Sequence, residues 1–107
     1  MLPEGTEHLA LTGYYRLHSG DAEKFRMIAA ASVETTRGKD GCLYYSFAED
    51  VAEPGLFRVA EGWRDRAALD THLSSPDFAD TLRQAGEMRI TERQVHTFTA
   101  SDSRSLW

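Results

Sequence analysis

The sequence predicts an α+β domain of the split β-α-β-β-α-β type, on three observations. Four runs carry period-two or aromatic-rich strand character, two intervening stretches carry helical spacing, and Gly, Pro, Ser and Asp clusters separate them. The 107 residues suit one domain, with 41% apolar and 27% charged residues, which argues against disorder. No internal repeat is visible.

From His8 to Leu17 the chain alternates, with Leu9, Leu11, Gly13, Tyr15 and Leu17 on one face, and reads as a strand. Ser19-Gly20-Asp21 punctuates it, with Ser19 or Asp21 as candidate helix cap. Helical spacing follows from Ala22 to about Arg37, where Phe25, Ile28, Ala29, Ser32 and Thr36 form one stripe. Gly38-Lys39-Asp40-Gly41 stops that helix. Cys42 to Asp50 is a second strand, aromatic on both faces, and Glu53-Pro54-Gly55 marks a turn.

Leu56 to Arg64 is the third strand, with Phe57, Val59, Glu61 and Trp63 sharing a face. Asp65 caps a helix reaching Leu73, with Leu69, His72 and Leu73 on one side. Ser75-Pro76 opens a further helical run with Phe78, Ala79, Leu82 and Ala85 inward, and Gly86 ends it. Ile90 to Thr99 is a fourth strand whose polar content leaves its facing open. The order is that of ferredoxin-like domains: a four-stranded antiparallel sheet with helices on one face. Residues 8–99 form the domain; 1–7 are a mobile lead-in, and 100–107 are a tail whose Leu106-Trp107 end docks on the body or on a partner. Aromatic residues on both faces of the second strand call for cover on the open side, and a second copy of the chain is the simplest cover.

Net charge is −5, with no basic stripe, so nucleic-acid binding is not expected. Cys42 is the only cysteine, which excludes an intramolecular disulfide and a multi-cysteine metal site, and fits a reduced, cytoplasmic setting. MLPEGTEHLA lacks the basic and apolar regions of a signal peptide, and no apolar run approaches membrane-spanning length. No Gly-rich phosphate fingerprint or GxSxG elbow is present, and His8, His18, His72 and His96 lack metal-ligand spacing, so no metal or cofactor is expected.

Three residues carry the candidate chemistry. Trp63 is a core tryptophan or a pocket wall, since a buried indole N–H wants a partner. His72 is a structural histidine or a proton-transfer group. Glu61 shares the face of Trp63, and a carboxylate beneath a helix costs free energy unless paired. His72 is a candidate partner that would raise the histidine pKa; Arg58, Arg64, Arg83 or a partner chain are the alternatives. Tyr14, Tyr15, Tyr44 and Tyr45 are pocket lining or sheet core.

Glu61, Trp63, Leu69, His72, Ser75, Pro76 and Phe78 together resemble the E-x-W-x5-L-x2-H-x2-S/T-P-x-F/M pattern of the antibiotic biosynthesis monooxygenase family, and Gly41 to Tyr45 resembles its second-strand entry. The resemblance implies a homodimeric α+β barrel with one pocket per subunit. It implies cofactor-free oxidation of a small quinol or hydroxylated aromatic by oxygen, with His72 as base, Glu61 as its orienter and Trp63 positioning the substrate. Tyr15, Tyr45, Val59, Leu69, Phe78 and Leu82 would surround that substrate. Val59 and Leu69 replace an asparagine and a tyrosine of anthrone-oxidising members. His72 and Leu82 replace a tryptophan and a histidine of the haem-degrading branch, so neither of those activities is expected. The alternatives are isomerisation or proton transfer on a small dicarbonyl or signalling sugar, and a non-catalytic ligand-binding module.

Overall fold

A computed structural model describes Leu2 and residues 4–107. Of the expected lead-in, Met1 and Pro3 lie outside the described residues. The elements follow as β1 (His8–Leu17), α1 (Ala22–Thr36), β2 (Cys42–Glu49), β3 (Leu56–Trp63), α2 (Arg66–Leu73), α3 (Pro76–Ala85) and β4 (Ile90–Ala100). The four strands form one antiparallel sheet in the order β2-β3-β1-β4. This is the ferredoxin-like arrangement.

Local chemistry explains the boundaries. The Asp65 carboxylate accepts from the Ala68 N–H at 2.9 Å, and the Ser75 hydroxyl accepts from the Phe78 N–H at 3.4 Å ahead of a first-turn proline. Two expectations are corrected at α1. Neither Ser19 nor Asp21 caps it through a side chain. Instead His18 Nδ1 accepts from Gly20 N in a 3-10 turn, while the Asp21 carboxylate accepts from Arg89. The left-handed glycine of the following loop is Gly41, at the entry to β2, rather than a residue at the helix end.

The register puts Leu11, Glu61 and Tyr45 side by side, and likewise Tyr15, Phe57 and Arg93, all on the helix-covered face. Two buried clusters occupy that face. Leu9, Tyr45, Trp63, Ala68 and Leu69 pack under α2, while Leu17, Ala22, Phe25, Ala29 and Phe57 pack under α1, with Phe47 touching both. Burying such side chains contributes roughly 1.5–3 kcal/mol each before entropy is counted.

The expected inward face of α3 is corrected in part. Phe78 and Ala85 are half-buried, but Ala79 is exposed and Leu82 is 54% exposed. Phe78, Thr81, Leu82 and Ala85 form the i, i+3, i+4, i+7 face, and Ala79 falls off it. That face covers an open space rather than the sheet itself.

On the opposite face the Tyr44 ring lies directly over Gly62, where a Cβ would collide with it, and its hydroxyl bonds His8 Nε2 at 2.9 Å. The same side of β4 exposes Phe98, 47% accessible. The terminal Leu106 and Trp107 are exposed, Trp107 fully, so neither docks on the body. Among the described residues no helix is long and apolar enough to cross a membrane.

Candidate active site

A cavity of about 300 Å³ lies between the sheet, α1 and α3. Its walls are mainly apolar and aromatic, including Leu11, Phe25, Phe47 and Val95. Of the residues singled out from the sequence, Glu61, Tyr15, Tyr45, Phe78 and Leu82 line it. Trp63, His72, Val59 and Leu69 do not; all four are buried beside it, Trp63 completely. The motif therefore divides into a lining and a layer that supports the lining.

Glu61 belongs to the lining. Its Oε1 accepts from the Trp63 indole N–H at 2.9 Å. No cation pairs with it among the described residues, and the residue is 7% exposed. Burial pushes its carboxyl up to about 6, with the Trp63 N–H pulling in the opposite direction. The result is a carboxylate mostly ionised at neutral pH, held by one fixed donor, at the wall of an apolar space. Its proton affinity suits general-base work near neutrality.

The expected Glu61–His72 pair is not formed. His72 stacks on Trp63 with ring centroids 5.0 Å apart, meets Tyr45 edge to face, and packs at a tilt on Phe78. Its Nδ1 lies 2.9 Å from the Lys39 ammonium, which also donates to Ser75 Oγ at 3.0 Å and Asp77 Oδ2 at 2.7 Å. An ammonium has no acceptor, so Nδ1 accepts and the ring hydrogen sits on Nε2. That Nε2 is buried without a partner among the described residues. Burial first, and Lys39 second, lower the histidine to about 4, with Asp77 opposing. The sequence expectation of a raised value is thus reversed: the partner is a cation, not a carboxylate.

Tyr45 completes the support. Its hydroxyl shares a 3.0 Å hydrogen bond with Ser32 Oγ, and burial pushes it up to about 12, so it stays protonated. Lys39, Ser32 and Arg93 were not foreseen as site residues. Lys39 sits in a loop 33 residues from His72, a pairing with no local pattern. Ser32 was legible as part of the α1 stripe, and Arg93 was hidden in the polar run of β4. No cluster of metal-ligating side chains occurs among the described residues.

Fold and cavity together define a small α+β ligand-cavity domain with one buried acid at its wall. The chain belongs to the antibiotic biosynthesis monooxygenase family, whose profile matches residues 9–84. It is 36% identical over 80 residues to the Mycobacterium tuberculosis protein named "Putative monooxygenase Rv0793", covering 75% of this chain and 78% of that one. An uncharacterised protein of Synechocystis, sll1783, is 26% identical over 98 residues, spanning 92% of this chain and 67% of its own. Among solved structures, a Deinococcus radiodurans protein superposes with a TM-score of 0.86 at 24% identity, covering 92% of this chain and 98% of the other. PA3566 of Pseudomonas aeruginosa gives 0.80 at 26% identity, covering 90% and 96%.

Proposed function

We propose that the chain is a cytoplasmic, homodimeric monooxygenase that oxidises a small quinol or other hydroxylated aromatic with molecular oxygen, without metal or flavin. Residues 8–99 are the working unit. The observation that carries the reading is Glu61: an unpaired carboxylate, raised to about 6, at the wall of an apolar cavity of about 300 Å³. That volume falls at the small end of the range for ligand cavities. Membership of the family and the relative's monooxygenase name point to the same class of reaction.

Glu61, rather than His72, is the base in this proposal. It takes the phenolic proton, and the desolvated phenolate passes one electron to oxygen, giving a semiquinone and superoxide. Recombination forms a C–O bond at a ring carbon bearing hydrogen. Loss of that C–H proton with cleavage of the O–O bond releases water and leaves a hydroxyquinone. The quinol supplies all four electrons, so one oxygen atom ends in product and one in water. Trp63 fixes the carboxylate through its N–H, and His72, locked by Lys39, braces Tyr45 and Phe78 at the cavity wall.

The dimer is proposed from the face opposite the helices, where Phe98 is exposed on the edge strand. Such a surface is covered by a second sheet in the simplest symmetric assembly.

Oxygen uptake with a panel of naphthoquinols tests the reading. Metal-free, flavin-free protein should consume one oxygen per quinol, and Glu61→Gln should reduce turnover at least a hundredfold, as removal of a general base does. Turnover that proceeds equally without oxygen would replace this reading with an isomerase using the same carboxylate. Saturable binding with no turnover under either atmosphere would make the cavity a non-catalytic binding module.

A further inference from the structure

Two charged side chains line the cavity, and they stand at opposite ends of it. Glu61 is level with Leu11 on β1, and Arg93 is level with Tyr15, four residues further along and on the other side of β1. With a rise of ~3.3 Å per residue and ~4.8 Å between strands, their Cα positions are about 16 Å apart. They form no ion pair, and Arg93 is not among the groups that move the Glu61 carboxyl. Leu11 and Val95, both apolar and both lining, lie between them on the sheet floor.

Arg93 is also the one arginine of the chain whose side chain has neither an ion pair nor a hydrogen-bond partner among the described residues. Arg16, Arg26, Arg58, Arg64, Arg83, Arg89 and Arg104 are paired to carboxylates. Arg37 donates to the Tyr45 carbonyl and Arg66 to Thr97. The chain has more acids than bases, so an arginine left free at a cavity is not explained by a shortage of carboxylates. A guanidinium presents a rigid fork of donors that fits a planar carboxylate with two parallel hydrogen bonds.

We infer that Arg93 sets the substrate class: a hydroxylated aromatic bearing a carboxylate at the end of the ring system opposite the hydroxyl received by Glu61. The inference rests on the reading of Glu61 as the hydroxyl-receiving group, and it adds polarity to that reading. The ligand enters one way round, its hydroxyl at the buried acid and its anion at the exposed arginine. A fused bicycle with substituents at opposite ends meets both groups, whereas one with adjacent substituents meets only one.

Titration calorimetry under nitrogen with non-oxidisable probes tests this. The probes are 6-hydroxy-2-naphthoate, its neutral parent 2-naphthol, and 3-hydroxy-2-naphthoate, in which the two groups are adjacent. Wild-type protein should bind 6-hydroxy-2-naphthoate about tenfold more tightly than 2-naphthol, the scale of one charge-assisted pair at a partly exposed site. Arg93→Met should abolish that preference, weakening 6-hydroxy-2-naphthoate about tenfold more than 2-naphthol, and Arg93→Lys should restore part of it. Arg93 is exposed on an edge strand, so these variants are expected to fold. Equal affinity of wild type and Arg93→Met for 6-hydroxy-2-naphthoate would overturn the inference, as would an equal gain for the adjacent isomer. Failure of all three probes to bind would overturn it too. Wild-type protein that binds 6-hydroxy-2-naphthoate no better than 2-naphthol, with quinol-dependent oxygen uptake intact, would remove this inference alone. A wild-type preference that Arg93→Met abolishes, without oxygen uptake on any quinol, would remove the monooxygenase reading alone.

Discussion

Glu61→Gln should make the protein more stable at neutral pH while suppressing the proposed oxygen uptake. The amide has the shape of the carboxyl and keeps an oxygen to accept the Trp63 N–H. What it removes is a charge in a site that resists charge. Burial lifts the Glu61 carboxyl from 4.5 to about 6, so the folded protein holds that proton more tightly than the unfolded chain. Stability from this group is therefore fully present below pH 4.5 and lost as pH rises through about 6. At 1.36 kcal/mol per pKa unit, the loss at pH 7 is about 2 kcal/mol. Urea unfolding of both proteins at pH 7 and pH 4 isolates it, because packing differences between Glu and Gln are common to the two conditions. The stability difference, variant minus wild type, should be about 2 kcal/mol more favourable at pH 7 than at pH 4. A difference that does not change with pH would refute the account of an unpaired buried carboxylate, and with it the base.

Two further variants probe the support around that group. Trp63→Phe deletes the donor that opposes the burial effect, so the Glu61 carboxyl should rise above about 6 by roughly one unit, the worth of one hydrogen bond to a charged group. The acid limb of kcat/KM should move to higher pH by the same amount. Lys39→Met releases His72 Nδ1, so nitrogen NMR should show the fixed Nε2–H tautomer give way to a mixture. The histidine should also titrate above its present value of about 4, though still below 6.5, because burial is the larger cause and remains. The buried ring nitrogen left without its donor should cost about 1–2 kcal/mol in denaturant unfolding.

Much of the architecture was legible because periodicity records which side of an element is dry. The face shared by Phe57, Val59, Glu61 and Trp63 is the helix-covered face, and the Asp65 and Ser75 caps work as their positions suggest. Placement of Glu61 beside Trp63 was likewise legible, since strand residues two apart point the same way. The hydrogen bond between them is not legible in the same way, because in the sequence an acid and a histidine on neighbouring elements make the stronger match. Lys39 decided otherwise. A loop lysine reaching a helix 33 residues on follows from how the α1–β2 loop packs against the α2–α3 junction, and sequence spacing carries no trace of it. Ala79 was misassigned for a related reason: α3 roofs a cavity, so its inner face is set by what the cavity needs rather than by apolar content.

Two of the buried titratable groups, Glu61 and His72, bear on one another through their opposite pH dependences. His72, lowered from 6.5 to about 4, contributes stability present above pH 6.5 and lost as pH falls through about 4. Glu61 acts in the reverse sense between 4.5 and about 6, so across that window the two contributions offset each other. Each is nonetheless a cost at neutral pH or at acid pH that an apolar residue would avoid. Domains of this size are stable by only ~5–15 kcal/mol, and an uncompensated carboxylate of about 2 kcal/mol is a large share of that. The neighbouring histidine keeps a buried N–H without a partner, a second departure from the rule that buried polar groups are satisfied. Both departures meet at Trp63, which bonds the acid and stacks on the histidine. Elsewhere Tyr45 and Ser32 satisfy each other, while His8 Nδ1 and Thr36 Oγ1 are also buried without a partner among the described residues. A buried acid without a cation and a ring N–H without an acceptor, both on one indole beside the aromatic cavity, are what the proposed function calls for: polar groups kept for reactivity at some cost in stability.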